Sequence, residues 1–434
     1  MAFCQRYDYD KLIHVNKREL LLNITEGFVL AWRDPLWNDI MMDRSLKAIT
    51  ETPAFQKLDR IKQNGPTCRI YPGAMHTRLN HSLGVYHIGR QILIQTLENS
   101  TVPYTPTGMR SFLAACLLHD IGHFPYAHSL KELSIREHEE LAGDVIMKDE
   151  CLLRAVKNAG ADPEAVCAII DESRPADEEV AVYRHILSGA LDPDKLDYLN
   201  RDAFFCGVPY GIQNNGYIIS RLHLVNGELA LERCAYTALE HILFSKYLMY
   251  ANVYWHRGVR SATCMIKKAL LTAIRDDVLK VEDLYFMDDS EFDALAVRHR
   301  DYEPLSLITR VRDNELFTRV WEAPWEGERF LRPITGDIYS RFSAEDRLYE
   351  RLKESYPELR RHEVIVDIPE PISFEADMKI LNEDGTLEPF SCVTKLFTKD
   401  VEKQFSASLR MIGLYTPSYV SRSRAKEIIE SGNF

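Results

Sequence analysis

The sequence is short of several things. Its 434 residues hold no run of about 18 apolar residues, the length a membrane-spanning helix needs, which argues against a membrane protein. The opening stretch, MAFCQRYDYDKLIHVNKREL, is charged early and has no apolar core, so it does not read as a secretory leader. Positive charge is outnumbered: 53 Lys and Arg stand against 65 Asp and Glu, for a net charge of -12. That balance argues against a general nucleic-acid or anionic-membrane binder, though a local basic pocket for a small anion remains open. The nine cysteines are odd in number and scattered, with no CxxC pair. A disulfide framework is therefore not expected, and reduced thiols in a cytoplasmic protein are. There is no internal repeat and no low-complexity tract. What remains, 46% hydrophobic and 27% charged residues, has the balance of a globular protein long enough for two or three domains.

Helical periodicity dominates residues 40 to 300. "NHSLGVYHIGRQILIQTLEN" (80–99) places Leu83, Ile88, Ile92 and Leu97 on one face. "GMRSFLAACLLHDIGH" (108–123) is apolar on more than one side, as in a central helix, and Pro125 is expected to end it. "DPEAVCAIIDES" (162–173) and "DPDKLDYLNRDAFF" (192–205) each open with an Asp cap and a Pro at the first helical position. "RLHLVNGELALE" (221–232) alternates around Asn226-Gly227, a hairpin signal, and a long helical stretch follows to about residue 277. Beyond residue 300, strands are expected at 328–338, 362–369, 389–397 and 409–417, and helices at 343–357 and 418–431. The expected fold is mainly α: a helical core with a β-hairpin insertion over residues 1–300, then a smaller α+β domain over 301–434.

Histidine is the unusual presence. Seven of the fourteen, at 76, 81, 87, 119, 123, 128 and 138, fall within 63 residues. Neutral imidazole with carboxylate suits a divalent transition metal, and Asp120 directly follows His119. His119 and His123, four apart, would share one helix face, while His119 and Asp120 could both reach an ion beside the helix. Two ligands hold a metal poorly, so others must come from elsewhere in the chain.

His81, then His119-Asp120, then Asp194 in "LDPDKLDYLNRDAFFCG" match the H…HD…D signature of the HD-domain metal-dependent phosphohydrolases. Six blocks in order resemble one branch of that family more closely: "ETPAFQKLDRIKQNG", "YPGAMHTRLNHSLGVYH", "HDIGHFPYAH", "HEELAG", "DPDKLDYLNRD" and "YANVYWH". That branch is the deoxynucleoside triphosphate triphosphohydrolases, which includes dGTPase-like bacterial enzymes and the animal SAM-and-HD-domain dNTPase. The resemblance spans roughly residues 30 to 275.

The resemblance implies that His81, His119, Asp120 and Asp194 ligate one divalent ion (Mn, Fe, Ni or Zn), with Mg an option on the substrate triphosphate. His123, His128 and His138 would face the α-phosphate, with His128 in acid/base or positioning work. Arg78, Lys195 and Lys246, the last at a position usually held by arginine, would hold the triphosphate. Gln63, Tyr198, Asp202 and Tyr254 would line the sugar. Asp197 and Arg201, four apart on one helix, would stand behind the ligands. The activity implied is hydrolysis of a nucleoside triphosphate to deoxynucleoside and inorganic triphosphate by a homo-oligomer, dimer or tetramer. The alternatives are an HD nucleotidase or phosphodiesterase acting on another nucleotide, and a nucleotide-binding regulator.

The sequence departs from the pattern at three places. Lys131 stands where an acid usually orients the equivalent of His128, with Glu132 and Glu139 as substitutes. Glu51 and Asp59 stand where the animal enzyme's guanine-activator site has an acid and an arginine, so activation by that route is not expected. Asn80 replaces the acid before the first metal histidine. If His128 does acid/base work, His128→Ala lowers turnover at least ~100-fold in a steady-state assay; a near-native rate removes it from the mechanism.

Overall fold

Short polar caps start the helices that the sequence marks. The Asp192 carboxylate accepts the Lys195 backbone N–H at 2.6 Å, and Asp162 accepts that of Glu164 at 3.1 Å. Each satisfies one of the donors a helix start leaves open, and a proline occupies the next position where no donor is needed. The computed structural model describes residues 17–98, 104–130, 135–325, 337–374 and 377–431. Four helices frame its centre: α1 (Arg78–Glu98), α2 (Pro106–Leu118), α3 (Pro193–Cys206) and α4 (Arg257–Arg275). Helix α2 is buried continuously from Ser111 to Leu118, as its all-round apolar sequence implies. Helix α1 crosses α3 at Gly84, where an added Cβ would overlap the Asp197 carboxylate and the Arg201 guanidinium. The missing side chain lets the two helices approach. No helix among the described residues is long and apolar enough to cross a membrane.

The strands are β1 (Phe28–Asp34), β2 (Asn38–Asp43), β3 (Leu222–Val225), β4 (Glu228–Glu232), β5 (Thr318–Pro324), β6 (Ile365–Asp367), β7 (Lys379–Leu381), β8 (Leu387–Pro389) and β9 (Met411–Thr416). The Asn226-Gly227 turn joins β3 to β4 with φ of 52° and 81°, the left-handed pair this hairpin turn requires. Strand β4 then pairs in parallel with β7, Leu231 opposite Ile380, and β7 pairs with β8. A second sheet has the order β5-β9-β6. The C-terminal stretch therefore extends the hairpin's own sheet. Met378, Ile380, Phe390 and Phe397 share a core with α1 and α2, while Ile365 and Tyr415 pack with Met265 and Leu270 of α4.

Four expectations change. Helix α2 ends at Leu118 and not near Pro125; the chain turns through Ile121 N–H to Leu118 C=O and His123 N–H to Asp120 C=O. Gly122 explains the early stop, because it lies so close to the His138 carbonyl and the Ala142 amide that a Cβ would collide. Residues 389–397 form not a strand but one helical turn, Phe390–Val393, that buries Phe390; a short apolar run does not distinguish the two. The stretch from 232 to 277 is broken: a π-turn at Tyr250–Tyr254 and a cap at His256 separate Tyr236–Met249 from α4. The β1–β2 hairpin carries no Asn-Gly or Asp-Gly pair and was not expected; it turns through Asn38 at φ 60°. The other C-terminal strands and helices fall where expected, except that residues 328–336 lie outside the described residues.

A buried ion pair joins α4 to the helix Ile338–Lys353. Lys268 Nζ donates to Glu345 Oε2 at 2.5 Å, and Glu345 Oε1 accepts the Val366 amide at 2.8 Å. Breaking such a pair strands a charge, whereas replacing both partners does not. Glu345→Gln is expected to lower stability by about 3 kcal/mol in urea unfolding, and a Lys268→Met, Glu345→Met double variant to recover most of that loss.

Candidate metal centre and its cavity

Two histidine rings are held with one nitrogen each turned inward. His119 Nδ1 donates to the Cys116 carbonyl at 3.1 Å, and His81 Nδ1 donates to Asp197 Oδ2 at 2.8 Å. With the rings neutral, as metal ligation requires, those bonds fix each tautomer and leave both Nε2 atoms as acceptors. The two Nε2 atoms lie 3.3 Å apart. Asp194 Oδ1 is 3.0 Å from His81 Nε2, and Asp120 oxygens lie 4.0 Å from His81 Nε2 and 3.6 Å from His119 Nε2. Ligands of one ion at about 2.1 Å stand about 3 Å apart when at right angles, so the donor set fits a divalent metal. The demand for positive charge is visible in His81 itself. Burial opposes its protonation, yet hydrogen bonds to Asp194 and Asp197 push its imidazole up to about 10.

The local structure explains the convergence. His119 caps the end of α2 and Asp120 follows in the turn, so the two leave the helix together. His81 lies in the first turn of α1 and Asp194 in the first turn of α3. Arg78, one turn before His81, donates to Asp120 Oδ2 at 2.7 Å, and its own Nε is buried with no partner. Asp120 is held well below the usual carboxylate range: burial raises it, but Arg78, His119 and His123 overcome that. His123 is not on the helix with His119. It sits in the turn, 3.2 Å from Asp120 Oδ1 and stacked on His138 at 3.9 Å between ring centroids. Burial and then Arg78 hold His123 well below the ordinary imidazole value, so the ring is neutral. Asp120, His123 and His138 form a second triplet whose ligand atoms all lie within 4.8 Å of one another, as do those of His81, His119 and Asp120.

The cluster opens into a cavity of about 640 Å³, a common size for small-molecule sites. Of the residues expected at the substrate, Gln63, Arg78, Tyr198, Asp202 and Tyr254 line it. Tyr254 donates to Asp202 Oδ2 at 2.6 Å, and His76, buried behind, meets Asp202 Oδ1 at 2.8 Å. Lys195 and Lys246 do not line it. Lys195 Nζ bonds Asp192 and the Gly189 carbonyl, and Lys246 Nζ the Ser373 carbonyl at 2.7 Å. The His128 side chain, Lys131 and Glu132 lie outside the described residues. Sequence reasoning missed Tyr250, Trp255, Arg260, Lys267 and the segment Ile368, Glu370, Pro371, Ile372, all of which line the cavity. Tyr250, Tyr254 and Trp255 were signalled by their close spacing; the C-terminal segment carried no signal, because only the folded chain brings it here.

The HD domain family model matches residues 78–201, and the HD associated region model residues 215–430. The chain belongs to the HD-domain family. The HD-domain match spans His81, His119, Asp120 and Asp194. Uncharacterized protein YwfO of Bacillus subtilis is 31% identical over 241 residues, 55% of this chain and 54% of that protein. The chain spans about half the length of that relative. The deoxynucleoside triphosphate triphosphohydrolase SAMHD1 of Bos taurus is 23% identical over an alignment covering 92% of this chain and 75% of that protein. The solved structure of a phosphohydrolase from Bacteroides thetaiotaomicron matches with a TM-score of 0.71 at 21% identity, covering 89% of this chain and 99% of that one. That last likeness is one of fold alone.

If the four acceptors hold one ion, His119→Ala and Asp194→Ala each weaken manganese binding at least ~10-fold by chelator competition, while His123→Ala and His138→Ala retain one ion per chain. Loss of the ion in all four variants would assign it to a different set.

Proposed function

We propose that this protein is a metal-dependent hydrolase of deoxynucleoside triphosphates, cleaving at the α-phosphorus to release a deoxynucleoside and inorganic triphosphate. The observation that carries the proposal is the meeting of the His81, His119 and Asp120 ligand atoms, with Asp194 3.0 Å from His81, and the Arg78 guanidinium at one end of a cavity of about 640 Å³. The branch resemblance and the SAMHD1 relative supply the substrate class. A divalent ion, when bound, supplies polarisation of a phosphoryl oxygen and acidifies water. His81, His119, Asp120 and Asp194 would hold it. Arg78 neutralises phosphate charge, its unpartnered Nε offering a donor. His123, kept neutral, and His138 stand beside the reacting phosphate, where an imidazole can accept or donate a proton. Tyr254 and Asp202, locked to each other, present a fixed polar edge to the sugar, with Tyr198 and Gln63 beside them. Lys195 and Lys246 reach the triphosphate by leaving their present acceptors. The assembly proposed is a homo-oligomer, on the resemblance alone.

A second reading has its own observation. Asp120 belongs to two ligand triplets, the arrangement a two-ion phosphodiesterase or nucleotidase uses to clamp both oxygens of a displacement. Metal stoichiometry separates the two: one ion per chain favours the first, two the second.

The purified protein should be incubated with each dNTP and ribonucleotide, varying manganese, iron, nickel and zinc. Deoxynucleoside and inorganic triphosphate are the expected products; orthophosphate alone, or no turnover of any dNTP, overturns the proposal. Lys246 gives a pH signature. Burial, and then the neighbouring Lys195, lower its ammonium to about 8, against the pull of Asp192. It is charged below that pH and neutral above it, so kcat/KM is expected to fall as pH rises through about 8. Arginine stays charged throughout, so Lys246→Arg removes this fall. An unchanged profile takes Lys246 out of substrate binding.

A further inference from the structure

Among the described residues, the strands β1 and β2 pair only with each other. A hairpin of two strands is marginally stable alone, so its place must be set by what it touches. Ile40 and Met42 anchor one face in the core. The turn does something different. Asp34 Oδ1 accepts the backbone N–H groups of Leu36 at 2.9 Å and Trp37 at 3.0 Å, which shapes the turn. Asp34 Oδ2 accepts from Arg201 Nη1 at 2.8 Å. The Trp37 indole N–H donates to Asp197 Oδ1 at 2.5 Å, across 160 residues of sequence.

Asp197 is the carboxylate that orients His81. Its Oδ2 accepts from His81 Nδ1 and from Arg201 Nε, and its Oδ1 accepts from Arg201 Nη2 and Trp37. The side chains of Asp197 and Arg201 are fully buried. The hairpin turn thus contributes a donor to Asp197 and an acceptor to Arg201, the two groups that fix the ring of a metal ligand.

We infer that Trp37 and Asp34 are positioning residues of the metal centre, and that docking of the β1–β2 hairpin and retention of the metal are coupled. The inference rests on His81 being a ligand. Partners behind a metal-bound histidine typically set 10- to 100-fold in metal affinity. Coupling of this kind is reciprocal: what the hairpin gives the metal site in order, a bound ion returns to the hairpin through His81 and Asp197.

The test uses the full chain and manganese alone as the probe. Trp37→Phe keeps an aromatic ring beside His87, its stacking partner at 6.2 Å, and removes the N–H donor together with part of the bicyclic ring. Asp34→Asn is the second variant. Arg33→Ala is the control, since Arg33 is 72% exposed and pairs with Asp39 across the hairpin. Two quantities are read: manganese affinity by chelator competition, and hydrogen exchange over residues 28–43 with and without manganese. The expected result is at least ~10-fold weaker binding in Trp37→Phe and Asp34→Asn, native affinity in Arg33→Ala, and slower hairpin exchange on adding manganese to the wild type only. Wild-type binding with native affinity in Trp37→Phe and Asp34→Asn overturns the inference and leaves the metal reading intact, as does hairpin exchange indifferent to manganese. A wild-type protein that binds no manganese overturns both.

Discussion

The carboxylates of Asp120 and Asp194 are crowded around the His81 and His119 rings and repel each other, and the helical core holds them there. Like charges 4 Å apart cost about 4 kcal/mol at an effective dielectric near 20, a large part of the net stability of an ordinary fold. The countermeasures are distributed. Arg78 sits against Asp120. Arg201 and the His81 ring hold Asp197 far below the usual carboxylate range, although burial opposes this. The close crossing of α1 and α3 at Gly84 brings Asp197 within reach of His81. Each is part of a frame that holds the His/Asp cluster in place.

What the sequence reveals about this frame depends on how local the cause is. The His/Asp cluster could be read because its residue types, order and flanking blocks carry the chemistry. The helix starts at Asp162 and Asp192 could be read because a cap and a proline act within four residues. The Asn226-Gly227 hairpin is equally local. The end of α2 could not, since it is decided by Gly122 meeting the backbone around His138. Nor could the β1–β2 hairpin, whose docking depends on partners near residue 200. The directions of Lys195 and Lys246 depend on carbonyls at Gly189 and Ser373; motif matching finds the residues but not where their ammonium groups rest.

The C-terminal stretch has a direct part in the site. Ile368, Glu370, Pro371 and Ile372 form one wall of the cavity, and Arg260, on the same cavity, is clamped by Asp367 through two hydrogen bonds of 2.8 and 2.5 Å. The aromatic side formed by Tyr250, Tyr254 and Trp255 follows from the π-turn, a departure from α-helical spacing that recurs at functional sites. The cavity therefore has a polar, metal-binding end from the first half of the chain and walls from the second.

That division has a consequence for the order in which the protein is made. Helices α1 to α3 bring the ligands together through contacts within about 120 residues, whereas β4 must wait for β7, Ala230 opposite Lys379, to complete its sheet. Distant strand pairings form slowly because a long loop has to close first. On a ribosome, His81, His119, Asp120 and Asp194 emerge well before the segment at 368–372 that walls the cavity. A nascent chain thus passes through an interval in which the metal centre is open to solvent on that side, and the ion can be loaded before the cavity closes over it.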